Sequence, residues 1–429
     1  MKESIKKRIE AVRRGEVPEG YAETAAGCIP DDWSSAPLSE ISSVLHEHAG
    51  DRDFETLSIS AGIGFVNQAE KFGKELSGKQ YSKYTVLRRG DFAYNKGNSK
   101  RYPQGCTYML RERDEAAVPN VFECFRIAKG HPEYYEQLFI NGFMNKQLTQ
   151  KINHGVRDDG LLNLTDDDFY STIFPVPPLT EQQKIAEILA TCDRVIELKQ
   201  QLLEEKCRQK QWLMQKLLDP DSGVHLPGFE TRMWKEIPLS EVFLYIRNGF
   251  VGTATPYYVD DGIPYIEGTN IQNGQWDLSE VLHISEEFHR KHPNSVLRTG
   301  DVVVVQSGHV GDCTVVTEKI DGSNSHAIII MTPTPRVNPY FCACYINSPI
   351  GQGRLVGCIT GNTVKHILAS DMKKYLLPCP EKDEQDALAN LFCAAEKEIT
   401  AIEKEIEAWK QKKKALMQLL LTGLVRVNA

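Results

Sequence analysis

Apolar residues return in steps of three and four along two long stretches of this chain. In 383–421, Phe392, Ala395, Ile399, Ile402, Ile406, Trp409, Leu416 and Leu420 trace such a stripe, with charged residues between them. That spacing predicts a long helix with a coiled-coil seam. In 180–218 the aligned stripe is Leu189, Cys192, Ile196, Lys199, Leu203, Lys206, Lys210, Leu213 and Leu217. Its lysines weaken a purely apolar seam. They can snorkel, or meet Glu403, Glu405 or Glu407 of a partner helix. No Pro or Gly interrupts either stretch, and each helix would be roughly 55–60 Å long at the α-helical rise. The Pro-rich runs before them keep the chain extended. Thr180 and Asp383 stand where N-caps are expected, with Gln183 and Asp386 three residues on.

The two stretches are copies. Glu181-Gln182 recurs as Glu384-Gln385, and Leu213-Met214-Gln215 as Leu416-Met417-Gln418. Pro175 and Pro177 recur as Pro378 and Pro380, all 203 positions on. Each helix needs a partner for its apolar stripe, and its own repeat packed antiparallel is the obvious one.

Between the helices the pattern shortens. Strand-like runs bounded by Gly, Asn and Pro appear at 56–59, 91–94, 122–127, 302–305, 313–316 and 327–331. Cys342-Ala343-Cys344 alternates as a buried strand would. Helical patterns near 132–150 and 339–351 correspond to each other. Trp33 followed by Pro37-Leu38-Ser39-Glu40 recurs as Trp234 followed by Pro238-Leu239-Ser240-Glu241, 201 positions on. Leu87-Arg88-Arg89-Gly90-Asp91 recurs as Leu297-Arg298-Thr299-Gly300-Asp301, 210 positions on. The drift places insertions inside the globular parts and none in the helices.

The expected fold is therefore α+β: two similar globular domains, each followed by a long helix, the two helices packed as an antiparallel coiled coil. The expected divisions are a basic amphipathic N-terminal helix and linker (1–28), a first domain (29–178), a first helix (179–219), a second domain (220–381), and a second helix with a tail (382–429).

Composition narrows the class. At 429 residues more than one core is expected. A hydrophobic share of 41% with 25% charge is ordinary for a soluble protein, and no apolar run has the length of a membrane span. Eleven cysteines without framework spacing predict reduced thiols and a cytoplasmic setting. A net charge of −8 argues against nonspecific DNA coating, but not against a reader with one basic face.

The chemistry of an enzyme is missing from the sequence. There is no P-loop, no paired-proline amino-methyltransferase loop, and no CxxC pair. His46-Glu47-His48 and Asp166-Asp167-Asp168 read as surface, the latter as a solvated cap before a strand. No catalytic residue and no metal ligand is assigned. What remains is recognition. After Asp91 comes a Gly-rich loop with Lys96, Asn98, Lys100, Arg101, Tyr102 and Gln104, which combines cations for phosphates with amides and a ring for bases. Its counterpart carries Gln306, Ser307 and His309. A basic cluster of Lys71, Lys74, Lys79, Lys83, Arg88 and Arg89 lies nearby in sequence, and Arg157 and Lys365 complete the DNA-binding candidates.

The Trp-x(3–4)-Pro-Leu-Ser-Glu opening, the Gly-Asp strand and the run Pro175-Val176-Pro177-Pro178-Leu179-Thr180-Glu181-Gln182-Gln183-Lys184-Ile185 resemble the specificity subunits of type I restriction–modification systems. The likeness extends over almost the whole chain. The second copy departs from it at Pro380-Glu381-Lys382, where one proline is lost. The resemblance implies two target recognition domains, each reading half of a split, asymmetric sequence in double-stranded DNA, with two spacer helices holding them apart. It implies a non-catalytic subunit that joins two methyltransferase (M) subunits and restriction (R) subunits in a prokaryotic cytoplasm. It implies no cofactor here, with S-adenosylmethionine, ATP and Mg belonging to the partners. Two readings stand beside it: a coiled-coil scaffold that binds protein, and an orphan specificity subunit that serves only a methyltransferase.

Overall fold

The computed structural model describes residues 3–73, 78–97, 102–152, 161–360 and 365–427, and in it the sequence repeat becomes a structural repeat. The chain divides into two units, 1–198 with 406–429, and 199–405. Each unit is built on a four-stranded antiparallel sheet. In the first, β1 (Ser42–Val44), β2 (Phe92–Asn95), β3 (Cys106–Met109) and β4 (Glu123–Ile127) lie in the order β1-β4-β2-β3. In the second, β5 (Phe243–Asn248), β6 (Val302–Val305), β7 (Cys313–Val315) and β8 (Ile328–Pro333) take the same order, β5-β8-β6-β7. A smaller ladder also repeats: Ser34–Pro37 pairs with Ile173–Val176, and Lys235–Pro238 with Leu376–Cys379.

The Gly-Asp motif is a turn into the second strand of each sheet. Gly90 and Gly300 have φ of 91° and 88°, a region that suits glycine. The Asp91 carboxylate accepts the Arg88 N–H at 2.7 Å, and Asp301 accepts the Arg298 N–H at 3.0 Å. Both aspartates are buried, and each carboxylate has a further partner on the neighbouring strand. Arg126 binds Asp91 at 2.6 Å, and Thr332 donates to Asp301 at 2.7 Å.

The units differ outside this frame. In the first, Thr85–Arg88 pairs with Glu115–Val118. In the second, Tyr258–Glu267 pairs antiparallel with Leu282–Ile284 and parallel with Asn324–His326, so the sheets are not all antiparallel.

The long helices are α1 (Leu179–Leu217) and α2 (Lys382–Leu420), 39 residues each. They begin slightly before the expected caps. The Pro178 and Glu381 carbonyls accept the first helical N–H groups, because the prolines ahead already hold the chain extended. The helices pack antiparallel. In the first unit Lys413 binds Asp193 at 2.6 Å, and in the second Lys206 binds Glu398 at 2.8 Å. Lys199 and Lys210 pair with Glu405 and Glu396. Of the three expected acidic partners Glu405 is used; the antiparallel register brings Glu396 and Glu398 to the other two lysines.

Each core takes the start of one helix and the end of the other. Ile185, Leu189, Met417 and Leu420 join Phe92, Phe125 and Phe174 in the first unit. Met214, Leu217, Leu388 and Phe392 join Val302, Val304 and Phe341 in the second. The divisions at 179 and 382 expected from sequence therefore cut through packed cores. Cys342 and Cys344 lie on a helix, Pro339–Asn347, not on a strand. It packs against β7, with Cys342 and Ala343 buried and Cys344 half-buried. Asp166–Tyr170 is a short helix capped by Thr165.

Candidate nucleic-acid interface

The loops that leave β2 and β6 are held the same way at their base. Leu162 N–H donates to the Lys96 carbonyl at 2.9 Å, and Ile367 N–H to the Gln306 carbonyl at 3.0 Å. Bridges follow at Gly97–Leu161 and Ser307–His366. Two segments are thus brought side by side in each unit: the loop after the Gly-Asp strand, and a loop some 60 residues later in sequence.

Lys96 is not an exposed, phosphate-facing cation. Its side chain is 12% exposed, and its ammonium lies 2.9 Å from Glu123 and 2.5 Å from Asp166. Lys96 and Glu123 draw Asp166 below its ordinary range; burial pushes Glu123 up against the opposing pull of Lys96. In the second unit the aligned position is Gln306, 8% exposed, opposite an apolar strand. Lys96 and Gln306 thus form the floor of their loops.

Arg88 and Arg89 are half-exposed and lie against acids: Arg88 against Glu47 and Glu115, Arg89 against Asp114. Surface pairs of this kind contribute about 0–1 kcal/mol, so an incoming phosphate can replace a carboxylate there. Glu47 of the His46-Glu47-His48 run is occupied by Arg52 and Arg88. No group of three or more His, Cys, Asp or Glu among the described residues is arranged to hold a metal.

Lys71 is exposed and donates to the Ile59 carbonyl at 3.1 Å. The Tyr102 ring lies beside Gly62 at a hairpin tip, where an added Cβ would meet its hydroxyl at 2.9 Å. Gln104 donates to Thr149 at 3.0 Å. Exposed His309 contacts the Ile271 carbonyl at 2.7 Å, Ser307 is half-buried, and Lys365 is exposed. Lys74, Asn98, Lys100, Arg101 and Arg157 lie outside the described residues, as does the Lys79 side chain.

Two further residues belong to these surfaces. Thr149, on the helix Asn145–Lys151, meets Gln104, and Gln352, on the helix Pro349–Leu355, donates to the Gly311 carbonyl at 3.1 Å. Thr149 and Gln352 are 203 positions apart, the helix offset. That repeat was the signal that could have found them.

The Glu-Gln motif repeated at the start of α1 and α2 has a mechanical role. Trp33 Nε1 donates to Glu181 at 3.0 Å, and Trp234 Nε1 to Glu384 at 3.0 Å. Gln182 accepts the His131 N–H at 2.8 Å and donates to the Pro177 carbonyl at 2.8 Å. Gln385 accepts the Asn338 N–H at 2.8 Å and donates to the Pro380 carbonyl at 2.9 Å. The Glu-Gln pair thus latches each helix to its own globular part.

A family profile described as the type I restriction modification DNA specificity domain matches residues 125–205, the segment from β4 through this latch into α1. The chain is 24% identical, over 435 aligned positions, to a chain assigned as the MjaX type I restriction enzyme specificity subunit of Methanocaldococcus jannaschii. The alignment covers 96% of this chain and 97% of that one. The chain is thus similar over nearly its whole length to type I restriction specificity subunits. The EcoBI specificity subunit of Escherichia coli is 25% identical over 315 positions, covering 68% of this chain and 65% of that relative. Two solved structures share the specificity-subunit fold. One is a chain from a study of complex assembly and conformational transition of a type I R-M system (TM-score 0.57, 17% identity, 92% of this chain and 99% of that one). The other is the type I restriction–modification S subunit of M. genitalium (TM-score 0.55, 12% identity, 92% and 97%). No helix among the described residues is long and apolar enough to cross a membrane.

Proposed function

We infer that this chain is the DNA-recognising subunit of a type I restriction–modification complex, and that each unit reads one half of a split, asymmetric site. The observation that carries this reading is the pairing of a repeated frame with unrepeated loops. The sheets share strand order and Gly-Asp turn, while the loop floor is Lys96 in one unit and Gln306 in the other. A duplicated fold with diverged loops suits two different half-sites. In this reading Arg88, Arg89, Lys100 and Arg101 contact phosphates. Asn98, Gln104, His309 and Lys365 are the candidates to read base edges, and Thr149 and Gln352 orient the loops.

In the same reading the chain carries no catalytic step and no cofactor. Two methyltransferase subunits bring S-adenosylmethionine and flip the target base, and restriction subunits bring ATP and Mg. The assembly works in a prokaryotic cytoplasm. The alternative of a protein-binding scaffold is disfavoured by the family profile over 125–205.

The test is co-expression with the methyltransferase subunit and sequencing of methylated positions genome-wide. A split motif is expected. Exchanging 306–312 for the corresponding loop of another family member should change one half of the motif and leave the other. Methylation without a split motif, or a loop exchange that altered both halves or neither, would overturn the assignment.

A further inference from the structure

The two latches are not equivalent. In the first unit the chain after α2 returns past Trp33, and Arg426 binds Glu181 at 2.8 Å through Nε and Nη2 and Asp32 at 2.7 Å through Nη1. Its guanidinium lies 5.6 Å from the Trp33 ring centroid. In the second unit Glu384 is 2% exposed, with one oxygen on Trp234 and Oε2 without a partner among the described residues. No arginine follows α1 onto Glu384; the nearby basic side chains are His225 and Arg232, neither in an ion pair with it among the described residues. At the helix offset of 203, Arg426 corresponds to Gly223; with the positive-φ glycines Gly223 and Gly423 aligned, it corresponds to Leu226.

What the second unit has instead is a cavity of about 360 Å³, lined by Trp234 and Glu384. Asp219, Asp221 and Glu230 also line it, and none of these acids, nor Glu384, forms an ion pair among the described residues. Its two arginines are already engaged, Arg232 with Asp383 and Arg354 with Glu236. A buried carboxylate oxygen without a donor is costly unless something supplies one. The first unit displays what fits: a planar guanidinium against a carboxylate and an indole face.

We propose that this cavity is a binding site for a guanidinium group, set between the Glu384 carboxylate and the Trp234 ring. The group comes either from an arginine side chain of a partner polypeptide or from a free guanidino compound. The proposal is independent of the DNA-recognition reading.

Calorimetric titration of the full-length chain tests it, with N-acetyl-arginine amide and agmatine as probes and N-acetyl-citrulline amide as the neutral control. One saturable site for a guanidinium probe, and none for citrulline, is expected. Tighter binding of the blocked arginine assigns the site to a protein side chain, and tighter binding of agmatine to a free compound. Glu384→Gln keeps an acceptor for Trp234 and should weaken binding by at least about tenfold, the scale of one charge-assisted hydrogen bond. Met233 is 90% exposed and aligns with Asp32, so Met233→Asp should leave folding intact and tighten binding several-fold. No saturable binding to either the parent chain or Met233→Asp would overturn the proposal, as would equal affinity for citrulline or an unchanged affinity in Glu384→Gln.

Discussion

Trp33 and Glu181 are 148 residues apart in sequence and joined by a 3.0 Å hydrogen bond in a buried setting. The same bond joins Trp234 to Glu384. Replacing Trp33 with Phe should leave Glu181 its Arg426 contacts and cost about 1–2 kcal/mol, whereas Trp234→Phe leaves Glu384 without a donor among the described residues and should cost about 2–4 kcal/mol. Chemical unfolding of each variant checks the order; equal losses would contradict it.

Gln182 ties a helix start to two backbone groups, and Gln385 ties one to three, the Arg336 carbonyl being the third. Alanine at either leaves a part-buried N–H and a buried carbonyl unpaired, a loss of about 1–3 kcal/mol. Hydrogen exchange should then accelerate at His131 in Gln182→Ala and at Asn338 in Gln385→Ala, each in its own unit only.

Burial raises the Glu384 carboxyl above the ordinary carboxylate range, with the Trp234 hydrogen bond pulling the other way. A carboxyl raised in the folded state favours folding below its unfolded pKa, and that contribution is lost as pH rises through the folded value. Glu384→Gln mimics the protonated form. Its stability advantage over the parent chain should be absent near pH 4 and grow toward neutrality, as read from unfolding midpoints across that range.

Lys96 and Lys365 separate floor from surface. Lys96→Met should lower stability, because it leaves Glu123 and Asp166 facing each other, and should leave the salt dependence of DNA binding unchanged. Lys365→Ala should weaken binding to the cognate sequence by about 1–3 kcal/mol and relax specificity in its half-site. Binding titrations of the reconstituted complex at several salt concentrations distinguish the two.

Lys413 interrupts the seam between Trp409 and Leu416 and holds Asp193. Asp193→Ala should cost about 1–3 kcal/mol by leaving a part-buried ammonium unpaired. The double change Asp193→Ala with Lys413→Leu should restore it, since an apolar residue suits the seam. Thermal unfolding of the single and double variants decides this.

Periodicity and repetition are properties of the chain itself. They determined the two 39-residue helices, their antiparallel pairing, the duplicated α+β units and the strand after each Gly-Asp pair, because local spacing of apolar residues acts without distant partners. Only the tertiary structure decided what the polar residues do. Lys96 looked like a phosphate ligand until Glu123 and Asp166 closed on it. Glu181 looked like a first-turn acid until Trp33 and Arg426 arrived from 148 residues before and 245 after. A charge does not specify its partner locally; the fold that brings two segments together does.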